Sequence, residues 1–325
     1  MLPLTIATGV LFAIILLSNL AETRPAYSRL VWWFWGSVIC LVGLLGVGFL
    51  VAPGPLPVSE DAKVPSEVAF VLLGASLLAG LSLLPVIRRG LARVMHLRPD
   101  SPVHLTALIL SCYLVAWTLA NLFWVGGVDG MQDTAEPVPM EFIVLQAAGL
   151  LAVAFTGVGL LTRRSWKQAR ERLGLDLFPG RSWVIAATAV VGLLGINFAG
   201  TIMWVIVAPE QAESIGHIQD ILLGHYDSLG AVFLLSVLSS VSEEILFRGA
   251  LQPVLGIVPT AILFGATHLQ YAISPATLII LTIGVILGVL RRRFGTWTAV
   301  LAHFGYNFSL FLMGLIASRL LELTG

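Results

Sequence analysis

Ten stretches of apolar residues, separated by short polar loops, constrain this chain more than any other feature. They run at about 2–20, 30–52, 67–87, 103–126, 141–162, 182–208, 228–248, 256–271, 275–290 and 297–318. A bilayer core about 30 Å thick takes roughly 20 apolar residues per helix. The sequence therefore predicts an all-α fold, a polytopic transmembrane helical bundle of about ten spans. The eighth and ninth stretches are short and joined by Ser274-Pro275, which fits a tight hairpin or a partly re-entrant segment. The first lacks a basic start and a small-residue cleavage site, so it reads as a helix and not as a signal peptide.

Composition closes off other classes. Hydrophobic residues make up 58% of the chain and charged residues 11%, against about 25% charged in soluble domains. A soluble enzyme and a disordered chain are both excluded. Net charge is zero with no basic arm, so nucleic acid is not an expected partner. Cys40 and Cys112 lie inside apolar runs and read as buried packing residues, not as a disulfide or a zinc site.

The loops alternate in charge. Arg24 and Arg29, then Arg88, Arg89, Arg93 and Arg98, then Arg163, Arg164, Lys167, Arg170 and Arg172, and finally Arg291, Arg292 and Arg293 follow spans one, three, five and nine. The loops after spans two, four and six carry Glu60 and Asp61, then Asp129, Asp133 and Glu136, then Glu210, Glu213 and Asp220. The positive-inside rule places the arginine loops in the cytoplasm and both termini outside. Trp32, Trp33 and Trp35 are expected in the aromatic belt at the inner boundary. The stretch 162–181 reads as a short amphipathic cytoplasmic helix ending at Phe178-Pro179-Gly180. No loop is long enough for a soluble domain, so any chemistry belongs in or beside the membrane. The expected localisation is integral and multi-pass, in a bacterial inner membrane, with membrane lipids as partners.

An ionisable residue inside a span costs about 2.5–3.5 kcal/mol on insertion scales, which makes each one a functional suspect. Asn121, Gln146 and Asn197 are lone amides that read as interhelical glue. The last third is different. Span seven ends in Glu243, Glu244 and Arg248, span eight carries Phe264 and His268, and span ten carries His303 and Asn307. Glu244 and Arg248, four apart with the acid first, suit an ion pair. Glu243 is turned about 100° away and must face something else. Phe264 and His268 stack at the same spacing, with the ring as a buttress, and His303 and Asn307 share a face. At 1.5 Å per residue, Glu243, His303 and His268 lie roughly 8, 9 and 18 Å inside the inner boundary. All three then reach one cavity open to the cytoplasm, where the catalytic helices splay apart.

A carboxylate and an imidazole around one water make it a nucleophile, and a second imidazole with a carboxamide donates to an oxyanion. Glu243, His268 and His303 are equally a ligand set for zinc with one open position. Either reading yields hydrolysis of a carbonyl compound. A proton- or ion-coupled transporter using the same Glu/His cluster and a non-catalytic immunity or scaffold protein are the alternatives. The two halves lack the paired broken helices of repeat-built transporters.

Glu-Glu-x-x-x-Arg, Phe-x-x-x-His and His-x-x-x-Asn, each on its own apolar helix and in this order, resemble the CPBP group of intramembrane proteases. That group contains the type II CAAX prenyl proteases and their bacterial Abi relatives. The resemblance spans about 228–318 and extends to Leu246-Phe247-Arg248-Gly249 and to Thr296 through His303. It implies an intramembrane peptidase acting on a peptide or protein. Glu243 would activate water with help from His268, His303 and Asn307 would stabilise the oxyanion, and Glu244, Arg248 and Phe264 would give structural support. The group is called metalloprotease, and a metal-free glutamate mechanism is also argued for it. The resemblance carries the reaction and not the prenylated substrate. It divides the chain into an N-terminal transmembrane region of unassigned role, 1–208, and a catalytic helical core, 209–325.

Overall fold

The computed structural model describes residues 2–51, 64–176, 180–268 and 272–324. Within them the fold is an all-helical bundle. The helices are α1 (Leu2–Ala21), α2 (Ser28–Val51), α3 (Ser66–Leu83), α4 (Pro85–Leu91), α5 (Pro102–Trp124), α6 (Gly127–Thr134), α7 (Met140–Gly157) and α8 (Trp166–Leu173). There follow α9 (Ser182–Val207), α10 (Pro209–Leu223), α11 (Leu229–Glu244), a π-helical segment (Ile245–Leu251), α12 (Gln252–Leu255), α13 (Ile257–Ala266), α14 (Pro275–Phe294) and α15 (Thr296–Thr324). Eight of the expected spans are helices long and apolar enough to cross a membrane. The first and eighth are shorter, Ile6–Ala21 and Ile257–Ala266. Many apolar side chains face outward, among them Leu41, Leu44, Val205 and Ile206, as suits lipid contact. With eight such helices, the protein is an integral, multi-pass membrane protein.

Apolar contacts sort the helices into groups. Ile14, Val31, Trp35, Ala79 and Ile109 knit α1, α2, α3 and α5 together. Leu193, Ile283, Leu287, Ala302 and Tyr306 join α9, α14 and α15. Ala154, Leu173, Phe247, Leu263 and Phe264 pack α7 and α8 around the π-segment and α13. At the end bearing the acidic loops, Ile215 and Ile218 of α10 pack with Leu122 and Trp204, and Val128 and Met131 of α6 lie against them. Neither α6 nor α10 is foreseen from the sequence, because each is a short amphipathic piece inside an acidic loop.

Trp35 is not a belt residue. It is 3% exposed, and its indole N–H donates to Thr106 Oγ1 at 2.9 Å, whereas Trp33 is 76% exposed. Asn197 does link helices, accepting from Tyr306 OH at 2.9 Å. Asn121 instead bonds back to Trp117 O of its own helix. Both cysteines are free, and Cys40 is exposed, not buried. Glu60 and Asp61 lie outside the described residues.

The arginine loops meet at one end. Arg98 pairs with Glu22 at 2.9 Å, Arg163 Nε donates to Asn19 Oδ1 at 2.8 Å, and Arg88 lies over Trp32. The amphipathic helix of the third loop is shorter than expected. Ser165 and Gln168 form a capping box at its start, and Gly174 ends α8 in the left-handed region at φ 73°. Phe178 and Pro179, the expected end, lie outside the described residues.

Candidate active site

The site is built where α11 changes pitch. Ser228 caps α11 by accepting from Ala231 N. Ser236, Ser239, Ser240 and Ser242 then each donate to the carbonyl four residues back, at 2.7, 2.9, 2.6 and 2.7 Å. Such back-bonds satisfy hydroxyls inside an apolar bundle and bend the helix, and small side chains let neighbouring helices approach. Immediately after Glu244 the backbone widens into the π-segment, which closes with Gln252 N donating to Phe247 O. Short π-segments occur frequently at functional sites. The chain then turns at Gly256, φ 89°, into α13, a conformation that favours glycine. The connection from Gly249 to α13 is therefore short.

Glu244 and Arg248 form the expected ion pair, Oε1 to Nη1, at 3.0 Å with side chains 0% and 1% exposed. A feature the sequence did not suggest is that the same oxygen also takes His303 Nδ1 at 3.0 Å. A carboxylate only accepts, so Nδ1 carries the proton. His303 Nε2 then meets Asn307 Nδ2 at 3.2 Å, and Asn307 Nδ2 also donates to Ser239 Oγ at 3.2 Å. The second oxygen of Glu244 has no partner.

Arg248 is held from two further sides. Its Nη2 donates to Gly284 O at 3.2 Å, and its guanidinium lies 4.3 Å from the Phe264 ring centroid. One turn on, Gln252 Nε2 donates to Gly288 O at 2.8 Å. These bonds require α14 to come very near. A Cβ at Gly284 would meet Ala261 Cβ at 3.2 Å, and one at Gly288 would meet Ile257 Cγ2 at 2.9 Å. Gly284-x-x-x-Gly288 is a small-residue contact motif that the sequence displays, and it locates Gln252 and α14 as parts of the site.

His268 lies beyond the helix on which it was expected. α13 stops at Ala266 and Thr267 caps it. The imidazole folds back so that Nδ1 is 2.7 Å from Phe264 O. A carbonyl accepts, so Nδ1 is protonated and Nε2 is the basic nitrogen. The same carbonyl also accepts from Thr267 Oγ1 at 2.8 Å, so two side chains close this helix end. Phe264 buttresses it as expected, with centroids 4.6 Å apart, and stands edge-on to His303 at 5.7 Å. Residues 269–271, the expected end of the eighth span, lie outside those described.

Glu243 is half-buried. Its Oε2 is buried without a hydrogen-bond partner, and its charge acts on both His268 and Arg248. The seven motif residues thus converge. Glu244, Arg248, His303 and Asn307 are joined directly, Phe264 touches both histidines and the arginine, and Glu243 acts on His268 and Arg248 through its charge. The cavity is another matter. A cavity of about 990 Å³ passes behind the π-segment, lined by Leu246, Phe247 and Thr267 among others, and none of Glu243, His268, His303 and Asn307 lines it. It opens between the N-terminal helices and the π-segment, where the sequence expectation put one shared cavity among the three catalytic helices.

As arranged, the residues do not suit a zinc ion. Among the described residues no three His, Cys, Asp or Glu side chains come together as ligands. Both ring nitrogens of His303 and Nδ1 of His268 are already engaged.

No curated protein and no solved structure matches the chain. Residues 226–309 match the family model described as Type II CAAX prenyl endopeptidase Rce1-like. That segment holds every motif residue named above, together with the serine-bearing helix, the π-segment and the two glycines of α14. Over that segment the chain is similar to the type II CAAX prenyl endopeptidases.

Proposed function

We propose that the protein is an intramembrane endopeptidase that hydrolyses a peptide bond near the cytoplasmic face of the membrane. One observation carries the reading. Of two adjacent glutamates, Glu244 holds Arg248 and His303 through Oε1, while Glu243 is in no ion pair among the described residues and its buried Oε2 has no partner. A buried carboxylate left unsatisfied is costly unless a ligand or water completes it.

In this mechanism Glu243 takes a proton from water as the water oxygen attacks the scissile carbonyl carbon. His268, its Nδ1–H fixed on Phe264 O, offers Nε2 as a second acceptor that orients the water. The carbonyl oxygen becomes an oxyanion seated by His303 and Asn307. His303 meets it through Nε2, because Nδ1 is held by Glu244; in the neutral ring Nε2 accepts from Asn307 Nδ2, and when the ring gains a second proton both groups turn their N–H to the oxyanion. Asn307 Nδ2 lies 3.2 Å from that nitrogen, so the two groups converge on one point. Collapse returns the carbonyl, breaks the C–N bond, and passes the proton from Glu243 to the leaving amine. No step uses a metal.

The test is cleavage of a quenched fluorescent peptide library by the purified protein in detergent, beside Glu243→Gln, each with and without a zinc chelator. The expected outcome is wild-type cleavage that the chelator leaves intact. Glu243→Gln should fold normally and lose about 10²–10⁴-fold in rate, the usual worth of a general base. Equal cleavage by both proteins would sink the assignment of Glu243, and chelator-sensitive cleavage would sink the metal-free route.

A further inference from the structure

Behind the π-segment, the cavity of about 990 Å³ has two unlike ends. Arg98, Arg163, Arg164, Arg172 and Arg291 line one end, with Glu171 as the acid among the lining residues. Arg98 pairs with Glu22. Arg163, Arg164, Arg172 and Arg291 form no ion pair among the described residues. Each of the first three gives a hydrogen bond to a neutral oxygen, on Asn19, Val158 and Gly249 respectively. Arg291 Nε is buried and bonds to nothing. A guanidinium has five donors, so most of this donor set is unspent.

His104 joins them. Its Nδ1 accepts from Arg98 N at 2.7 Å, which leaves the ring proton on Nε2 as another donor. Like charges gathered this closely repel one another. Burial and the charges of Arg164, Arg291 and Arg163 bring Arg172 down to about 10.

The other end is apolar. His104, Ala107, Ser111, Leu114 and Trp117 of α5 line the cavity. They form a stripe about 20 Å long at 1.5 Å per residue. Leu11 and Ile15 of α1 and Leu150 and Val153 of α7 face that stripe across the cavity. Trp117 at its far end is 71% exposed, so this end reaches the outer surface of the bundle. Charge at one end and a hydrocarbon-lined slot at the other match an anionic amphiphile. Several oxygens on one headgroup suit several guanidiniums, as phosphates do. Basic pockets between membrane helices on the cytoplasmic side bind such heads.

We propose that this cavity is a binding site for a phosphate-headed lipid, with the phosphate among Arg163, Arg164, Arg172 and Arg291 and one chain along the α5 stripe. The proposal does not depend on the peptidase reading, because none of the catalytic candidates lines the cavity.

The experiment is native mass spectrometry of the delipidated full-length protein, titrated with dioctanoyl phosphatidic acid, dioctanoyl phosphatidylcholine or inorganic phosphate. One saturable phosphatidic acid per chain is expected, with no comparable binding of the other two. Arg164→Gln and Arg291→Gln should each weaken it about tenfold. Arg291→Gln is the safer variant, since the buried Nε it removes has no partner to lose. Leu114→Trp, which fills the slot, should also weaken the lipid. Equal binding of phosphatidylcholine would overturn the proposal, as would affinity unchanged in all three variants or no binding at all. Inorganic phosphate binding as tightly as the lipid would reduce the site to a bare anion hole. A peptide with a free terminal carboxylate occupying the cavity in place of phosphatidic acid would make it a substrate site, and would equally overturn the lipid assignment.

Discussion

The π-segment has a polar cluster on each side, and the two differ in how their charges are met. On one side Arg248, Glu244 and His303 are buried and, with the half-buried Asn307, answer one another, with Gly284 O and the Phe264 face completing the arginine. On the other, four arginines face a cavity with no ion pair among the described residues. The first cluster is closed and defines geometry. The second holds donors in reserve for a ligand. Glu243 belongs with the open kind although it adjoins the closed one, because it is in no ion pair among the described residues and its buried Oε2 is unmet.

Breaking the closed cluster should have the largest effect on stability. Glu244→Gln keeps the shape and removes the charge, leaving Arg248 buried at 0% exposure without its ion. Removing one partner of a buried pair costs about 3–5 kcal/mol. The variant should lose most of its thermal stability in detergent, and His303 would lose its anchor at the same time. Adding Arg248→Met removes the orphaned charge, so the double variant should recover part of that loss. If the single variant melts like wild type, the closed cluster does not hold these helices together.

Much of this was legible in the sequence, for physical reasons. Hydropathy located the long helices because lipid-facing residues need no partner. The Glu244–Arg248 pair was legible because both residues share one helix face. The Glu244–His303 contact was not, since it joins residues 59 apart in sequence. The sequence matches Glu244 to Arg248, and His303 to the oxyanion or to a zinc ion. The π-segment leaves no periodic signal in seven residues, and His268 was placed on a helix that ends two residues earlier. Gln252 went unnoticed because its partner is a backbone carbonyl, Gly288 O. The arginine end was read as topology, and only the fold turns it into a cavity wall.

The approach of α14 gives the next test. Gly288→Ala places a methyl 2.9 Å from Ile257 Cγ2 and 3.1 Å from Gln252 Oε1. Overpacking of this kind costs about 1–3 kcal/mol. Gly192 has nothing within reach of an added Cβ, so Gly192→Ala serves as the control and should melt no lower than wild type. Comparable losses in both would detach the closed cluster from α14.

A smaller effect is expected at Ser239, which accepts from Asn307 at 3.2 Å. Ser239→Ala removes this bond and the back-bond to Leu235 O, each worth about 1 kcal/mol. If Ser239 orients Asn307 toward the oxyanion, kcat should fall several-fold with KM little changed, and Ser239→Thr should restore part of it. A change confined to KM would assign Ser239 to substrate binding instead.

The smallest effect sharpens the contrast most. Arg291→Gln is the same kind of change as Glu244→Gln, a charge replaced by an amide, made on the open side. The lost charge sat in the last turn of α14, where a cation gains about 0.3–1 kcal/mol from the helix dipole. Against that, its charge acts unfavourably on Arg172, and its buried Nε forms no bond. The two terms oppose each other, so delipidated Arg291→Gln should melt within about 0.5 kcal/mol of wild type, as substitutions outside closed networks usually do. Phosphatidic acid should then stabilise wild type more than the variant, because only a ligand gives this arginine something to hold. A large loss of stability without lipid would show that Arg291 is satisfied within the fold, and the difference between the two sides of the π-segment would disappear.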